Sequence, residues 1–571
     1  MDLLRLNKES GYNYRERRQD DWTENYTLYR DKVTVNRLTQ RQSVNLPLMK
    51  QQLRTLLNNV DDMPVIEFES LDNDEQKEIF QNKYWEEMVE CNKMELLDVV
   101  DKRQVLFFGR SFDQIQIIDG KVKMSIIDPE DILVDRFTDP TNIDSSRFLI
   151  HTHIFVPLST LKNNPDYDQD AIAELTGFYG TEQGLIKSAT NEQSYIKKNE
   201  KMADLGQTDV DNPILGETIV ELSMHFVFRD DEVDAEQQKL DPQYFVYVEA
   251  DDMKLLMKKP LEDVYGVTED NYWRNHLPYN TWADDIDNQD FWTDGVADMI
   301  RTPNKVLNAW FSQIVENRTL KNLNMNVFNS NLEGFTPTTW DPKAWGMYGI
   351  PLPQGGKIAD AFQQMPVQDL SESLDEINFV KGFTEQASGA TSTLQGVQTE
   401  RKITLGEVEL ALGEAKDRVK GMSKFYTQVW KERATKFLKL LEANADKLDA
   451  VKIYTKGRNS DDLYEREIES KDYAGRYRTK VWSQDEKDTK DTKSLEKLNA
   501  TRQLFPGNTK FDEIVKRKAL EFNDLPPDDI NAIMQIEVQN AEMLAAMATN
   551  SVPGTAPAAD PNPPQMGPPV V

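Results

Sequence analysis

Between Thr404 and Glu442 apolar residues recur at alternating four- and three-residue steps: Val408, Leu412, Ala415, Val419, Met422, Tyr426 and Val429. That period belongs to a helix with one continuous apolar stripe. Thr404 and Glu407 fit a capping box at its start, each side chain meeting an otherwise orphaned backbone N–H. About forty residues at 1.5 Å each make a rod on the order of 60 Å long. A single helix of that length has to be braced by the rest of the fold or by neighbouring subunits. Directly before it, residues 386–399 form an uncharged run rich in Gly, Ser and Thr. A soft loop therefore opens straight onto a very long helix.

Glycine content alone would allow that loop to cradle a phosphate. A phosphate-binding loop needs G-x-x-x-x-G-K-[ST], so that backbone amides wrap the anion and a hydroxyl holds magnesium. Gly389 and Gly396 have no lysine directly after them, and the loop follows a helical pattern rather than a strand. Gly120-Lys121 and Gly356-Lys357 lack the upstream glycine, and Val122 and Ile358 stand where the hydroxyl residue belongs. The chain carries no nucleotide-driven motor of that kind.

The remaining pattern is α+β. Residues 1–60 read as helical, interrupted at Pro47. From Asp74 the spacing of Ile79, Tyr84, Met88, Cys91, Leu96 and Val99 predicts one long helix ending near Gly109. The period then switches to two around Asp119-Gly120, with Ile115 and Ile117 before it and Val122, Met124 and Ile126 after it. This is a strong hairpin signal. Strands follow in RFLIHTHIFV, TIVELSMHFVFRD and QYFVYVEADDMKLLM.

A second helix is predicted with Thr302 as N-cap and Pro303 in its first turn, carrying a stripe of Val306, Leu307, Trp310, Ile314 and Val315. A compact, turn-rich, aromatic module comes next. Asp369 and Glu372 resemble a capping box for a further helix with Leu370, Leu374 and Ile377 on one face. After the long helix the C-terminal part reads as two helices broken at Pro526-Pro527. The last 21 residues hold 7 prolines and read as an extended, mobile tail.

The formal net charge is −31, from 67 basic and 98 acidic residues. A protein that grips DNA by neutralising phosphates should be basic, and this one is not. The excess suits a solvated acidic surface, or one that must let a polyanion pass without sticking. The 39% of hydrophobic residues, with 10 Trp and 24 Phe, suffice for real cores. No run of 18 apolar residues is present, and the charged first residues lack the apolar region of a secretory signal. The one cysteine, Cys91, allows no intrachain disulfide, which suits a reducing compartment.

Catalytic signatures are thin. His151-x-His153 would place two rings on one face of a strand, half a zinc site, although a polar strand face is much the simpler explanation. Asp284, Asp285, Asp287 and Asp290 fail the EF-hand pattern, with Asp290 where glycine is needed and Val296 where the bidentate Glu belongs. No GxSxG elbow marks a nucleophile. These observations argue against an enzyme.

The order of elements is more informative: α+β body, helix, small turn-rich module, helix, soft loop, very long helix, helical C-terminus. This order resembles the portal proteins of tailed bacteriophages, the head-to-tail connectors. GRSFDQIQIIDGKVKMSIIDPEDILVDR resembles that family's wing segment, where a hairpin leads into a DPxDhhhD turn, here Asp128-Pro129-Glu130-Asp131 to Asp135. HLPYNTWADDIDNQDFWTDGVADMIRTPNKVLNAWFSQIVENRTL resembles the approach to the first stem helix, through Pro278, Trp282, Gly295, Asn308 and Gln313. EQASGATSTLQGVQTERKITLGEVE resembles the tunnel loop and the start of the long wing helix. The resemblance covers most of residues 20–545.

It implies a portal-like α+β subunit. Residues 1–70 would be an N-terminal helical arm of the wing and 71–290 the α+β wing. Residues 291–323 and 367–385 would be stem helices flanking a clip at 324–366. The tunnel loop would span 386–402, the long wing helix 403–445, a wing return segment 446–505, the crown 506–550 and the proline-rich tail 551–571. The subunits would close a dodecameric ring at one capsid vertex of the virion, after assembly in the host bacterial cytoplasm. Double-stranded DNA would pass through it during packaging, retention and ejection.

Implied partners are the major capsid protein or scaffold, a large terminase that supplies ATP hydrolysis, and a head–tail adaptor. No cofactor, catalytic residue, metal or membrane is implied. The loop facing DNA would use Ser388, Gly389, Ala390, Thr391, Ser392, Thr393, Gln395, Gly396 and Gln398. Arg301, Lys305, Arg318 and Lys321 on the first stem helix would make transient DNA contacts, or else form ion pairs or stay solvated. Phe335, Trp340, Trp345 and Tyr348 would form the docking surface of the clip. Two rival readings stand beside this one. One is a different virion oligomer, such as a head–tail adaptor or tail-hub component. The other is a metal-dependent DNA-processing enzyme built on Asp284, Asp285 and Asp287.

Overall fold

The computed structural model describes residues 2–31, 44–60, 63–72, 74–179, 185–186, 219–232, 240–250, 254–322, 326–328, 357, 362–364, 373–389, 405–448, 451–456, 463–468, 475–482, 493–494, 496–498, 500–501, 509–521 and 533. In chain order these form α1 (Asp2–Tyr29), α2 (Leu48–Leu57), β1 (Val65–Ser70), α3 (Glu75–Cys91), α4 (Met94–Phe108), β2 (Arg110–Ile118), β3 (Lys121–Ile127), β4 (Ile132–Val134) and β5 (Phe148–Pro157). Then come α5 (Leu158–Asn163), α6 (Gln169–Tyr179), β6 (Leu185–Ile186), β7 (Ile219–Arg229), β8 (Gln243–Ala250), β9 (Lys254–Pro260), α7 (Leu261–Tyr265), β10 (Tyr279–Ala283) and α8 (Val296–Asn322). The chain continues through β11 (Asn326–Phe328), β12 (Phe362–Gln364), α9 (Ser373–Ser388), α10 (Leu405–Ala443), β13 (Val451–Lys456), β14 (Leu463–Ile468), β15 (Tyr477–Trp482) and α11 (Thr509–Glu521). The mixture of helices and sheets is that of an α+β protein. Residues 1–451 and 468–483 form one compact unit, and residues 452–467 and 484–571 a second.

The first unit contains the predicted hairpin. Asp119 and Gly120 have φ of +53° and +70°, both left-handed, as a two-residue turn between twisted strands requires. Ile117 pairs with Val122 and Ile115 with Met124. β10 lies on the other side of β2, Trp282 opposite Ser111. A larger antiparallel sheet runs β4-β5-β7-β8-β9, with the short β6 parallel to β7. β1 pairs with β15, Val65 opposite Trp482, and closes the unit across most of the sequence.

Helix α1 covers the larger sheet. Leu4 joins Leu133, Phe148, Ile150, Val227, Phe245 and Tyr247 in one core cluster. Further along, the buried face of α1 is polar: Lys8, Arg15, Gln19 and Asn25 are all sequestered. Lys8 donates to Ser223 Oγ at 3.1 Å, and Arg15 donates to the carbonyls of Glu130 and Ile132. A buried charge is tolerated only with such partners. Trp22, fully buried, stands edge-on to Phe108 at 5.3 Å and to Trp292 at 5.5 Å.

Two expectations need correction. The single helix predicted from Asp74 is two. Asp74 caps α3 by accepting from the N–H groups of Gln76 and Lys77, but the helix ends at Cys91 and Lys93 turns left-handed, φ +51°. The Asn92 side chain ties the helix end to the hairpin: its amide nitrogen donates to the carbonyls of Met88 and Val122, and its amide oxygen accepts from the N–H of Met124. Leu96, Val99 and Cys91 consequently face solvent. The second correction is that α8 starts at Val296, so Thr302 is not its N-cap and Pro303 lies inside it. Tertiary contacts set the true start: Val296, Ala297 and Ile300 are buried, and Asp298 accepts from the N–H of Gly295. Proline removes one hydrogen bond of the helix there.

In the second unit β13 pairs with β14, and α11 buries Val515. α11 corresponds to the first of the two predicted C-terminal helices. Its companion beyond Pro526-Pro527, and the proline-rich tail, lie outside the described residues.

Candidate functional site

The site that the sequence points to is the run from α8 to α10. Its base is the junction where α4 ends and α8 begins. Gly109 ends α4 at φ +84°, and a Cβ there would lie 2.1 Å from the carbonyl oxygen of Thr293. A Cβ on Gly295 would come within 2.7 Å of the Gly109 nitrogen. Only glycine on both sides allows the two backbones to approach this closely. Arg18 of α1 clamps the same junction, 2.5 Å from Asp294 and 2.6 Å from Asp298. Asn25 donates to the other oxygen of Asp298 at 2.9 Å.

The four bases on α8 do not behave alike. Arg301 is held by Asp21 at 2.8 Å and Asp298 at 3.1 Å, and Lys305 by Glu24 at 2.6 Å. Their charges are met by acidic residues of α1 and of α8 itself. Arg318 is exposed, and Lys321 lies half-buried in the last turn. Of the predicted stripe, Leu307 is buried, Val306, Trp310 and Ile314 are half-buried, and Val315 is exposed.

α8 leads into β11, which pairs antiparallel with β12, Asn326 opposite Gln364 and Phe328 opposite Phe362. That pairing brings the end of α8 and the start of α9 to one place, and α9 packs back along α8. Phe335, Trp340, Trp345 and Tyr348, between the two strands, lie outside the described residues. So do Asp369, Leu370 and Glu372, ahead of α9. Helix α9 runs three residues past the predicted end at 385, so Ser388 closes a helix with its side chain buried, as is that of Thr384 one turn earlier. Gly389 follows at φ +78°, the left-handed conformation that ends helices. Ala390, Thr391, Ser392, Thr393, Gln395, Gly396 and Gln398 lie outside the described residues, as does Thr404.

Helix α10 then runs 39 residues, from Leu405 to Ala443. Its second half is locked to the body. Met422, Tyr426 and Val429 of the predicted stripe are buried. Arg433, also buried, donates to Asp101 of α4 and Asp113 of β2, both at 2.8 Å. Burial alone would lower the pKa of Arg433, but the two carboxylates outweigh it and hold the guanidinium charged. Trp282 donates to Asp101 and Asn280 to Asp113, at 3.0 and 2.7 Å. Lys436 donates to the carbonyl of Tyr279 at 2.5 Å. Phe437 packs 4.9 Å from Trp85, centroid to centroid. The signal for this anchor was a lone Arg-x-x-Lys on the apolar side of a helix, which sequence reasoning passed over.

The chemical alternatives fare less well. A bulge between His151 and Ile154 breaks the strand alternation, and His153 sits at φ +58°. His151 meets Tyr279 Oη at 3.2 Å, whereas His153 lies against Asp131 at 2.9 Å and Glu221 at 3.8 Å. Within the acidic run, Asp290 accepts from Tyr14 at 2.9 Å and pairs with Arg17 at 2.5 Å. Asp287 accepts from the N–H of Gln289. Among the described residues no group of three or more His, Cys, Asp or Glu side chains is placed to hold a metal. Among them, too, no helix is long and apolar enough to cross a membrane.

A family model described as Phage SU10 portal protein matches residues 38–458, well over half of the chain. The match spans α8, the β11–β12 pair, α9 and all of α10. No curated protein matches.

Proposed function

The chain belongs to the phage SU10 portal protein family, and from that premise we propose that its subunits close a ring around a DNA channel at one capsid vertex. The family is structural rather than catalytic. In this reading the ring is dodecameric and conducts DNA during packaging, retains it, and releases it on ejection. The single observation that carries the reading is the succession of an antiparallel helix pair, α8 and α9, around the β11–β12 strands, followed by a loop and the anchored α10.

α8 and α9 are the stem, and the module between them docks the terminase and later the head–tail adaptor, through Phe335, Trp340, Trp345 and Tyr348. The loop after Gly389 faces DNA. Small uncharged side chains give weak contacts with no fixed register, whereas six to ten lysine–phosphate contacts would bring tight, steeply salt-dependent binding. Arg301 and Lys305 are engaged by α1 and Asp298, so a transient phosphate contact falls to the exposed Arg318. A closed ring also gives a single long helix the neighbours it needs.

Negative-stain imaging of the purified protein tests this. Rings with a central hole are expected; a stable monomer with magnesium-dependent nuclease activity would overturn the reading.

A further inference from the structure

A cleft of about 500 Å³ is lined by α1 on one side and by the turn after β4 on the other. Leu6, Ser10, Asn13, Tyr14 and Arg17 line it from α1, at three- and four-residue steps that put them on one face of the helix. Arg136 lines it from the turn. Both sides are held in place. Thr138 closes the turn, its N–H and its hydroxyl both donating to the carbonyl of Asp135, at 3.1 and 2.7 Å. Asp135 and Thr138 are buried, whereas Arg136 is exposed. On α1, Tyr14 donates to Asp290 at 2.9 Å and accepts from the N–H of Phe291 at 3.1 Å. Arg17 lies over the Tyr14 ring, 5.0 Å from its centroid.

The cleft holds donors that the fold does not use. The side chains of Ser10, Asn13 and Arg136 are exposed and have no partner among the described residues. Glu9 also lines the cleft, but Arg5 answers it at 3.7 Å. Of three arginines in this region, only Arg17 has a carboxylate partner among the described residues, Asp290 at 2.5 Å. The buried Asp135 accepts from the N–H of Phe137 instead of meeting Arg136. Arg110 is buried, donates to the carbonyl of Pro140 at 3.0 Å and lies 4.0 Å from the Phe291 ring centroid. Burial pushes its guanidinium down to about 9, against the pull of Tyr14 and Asp290, so it is charged at neutral pH. Unpaired guanidinium groups beside free neutral donors call for an anion.

We propose that this cleft binds a small phosphate monoester. Arg136, Ser10, Asn13 and the N–H groups of Arg17 not taken by Asp290 donate to the phosphate oxygens, and Leu6 lies against the rest of the molecule. A free guanidinium fork matches phosphate oxygens in pairs. A phosphate monoester offers three terminal acceptor oxygens to these donors, whereas a carboxylate offers two. The volume is that of a small-molecule site and leaves room beyond the phosphate itself. A DNA duplex would instead have to bring a run of phosphates against a chain of net charge −31.

Calorimetric titration of the full-length protein at fixed ionic strength tests this, with inorganic phosphate and a nucleoside 5′-monophosphate as probes. Both should bind at one site per chain, the monoester more tightly. Arg136→Gln, at an exposed side chain that the fold does not use, should weaken both by about tenfold or more, the loss of one charge-assisted contact. Ser10→Ala with Asn13→Ala should weaken them further. No binding of either probe, or an unchanged affinity in Arg136→Gln, overturns the proposal. A DNA duplex that displaces phosphate from the site overturns it as well, because the ligand is then a nucleic-acid backbone.

Discussion

Arg433 and Asp101 meet at 2.8 Å with both side chains buried, one from the long helix α10 and one from α4. Asp113 completes the group from β2. This is how the second half of the long helix is fixed to the body: one charged clamp ringed by Trp282, Asn280, Tyr426 and Trp430. Arg433→Ala should destabilise the fold by about 3–5 kcal/mol, because it strands two carboxylates where water cannot reach them. Urea denaturation midpoints of the two proteins check this. A loss under about 1 kcal/mol would mean that water enters the clamp.

Gly109→Ala should be at least as damaging. The left-handed φ alone costs roughly 1–2 kcal/mol for an alanine. The new Cβ would also meet the backbone of Thr293 and Asp294, which cannot rotate away as a side chain could. The measurement is soluble yield and melting temperature. A variant melting within a few degrees of the parent would show that the α4–α8 junction is looser than its contacts imply.

The sequence was legible at Gly109, the expected end of a helix, and silent at Arg433. The Asp119-Gly120 turn and the 39-residue α10 were readable because their causes are local: a two-residue turn chemistry and a repeating apolar step. The break at Asn92 was not, because its reason is the hairpin strand at Val122 and Met124, some thirty residues on. The start of α8 was misread because Thr302-Pro303 is a good local signal, overruled by Arg18 from the far end of the unit. The β1–β15 pairing joins strands more than 400 residues apart, as Arg476 to Asp72 illustrates, and no period announces it. In the candidate site the helix order could be read, but the engagement of Arg301 and Lys305 by α1 could not, since it depends on where α1 lies.

Asp284 gives a pH signature. Burial first, and Asp285 second, push its carboxyl up to about 6 from 3.8. An acid with a raised folded pKa stabilises the fold only while protonated. Its contribution is full below about pH 4 and is lost as pH rises through about 6. At pH 7.5 the penalty is on the order of 3 kcal/mol. Asp284→Asn should therefore raise the melting temperature at pH 7.5 and leave it unchanged at pH 4. An equal shift at both pH values would mean that charge is not the cause.

The end of α9 sets the boundary of the loop that follows. Thr384 and Ser388 are buried and Gly389 turns left-handed, so the helix pair is complete at Gly389. Deleting Thr391–Gln398 should leave ring assembly intact, since no buried contact of the described helix pair is cut. The same deletion should impair DNA packaging or retention, because the segment proposed to face DNA is gone. Extending the deletion back through Ser388 removes a buried helix end and should reduce assembly as well. Imaging for rings, alongside a packaging assay on both variants, separates the two effects. If the shorter deletion abolished rings, the loop would be part of the subunit contact rather than a surface that DNA slides past.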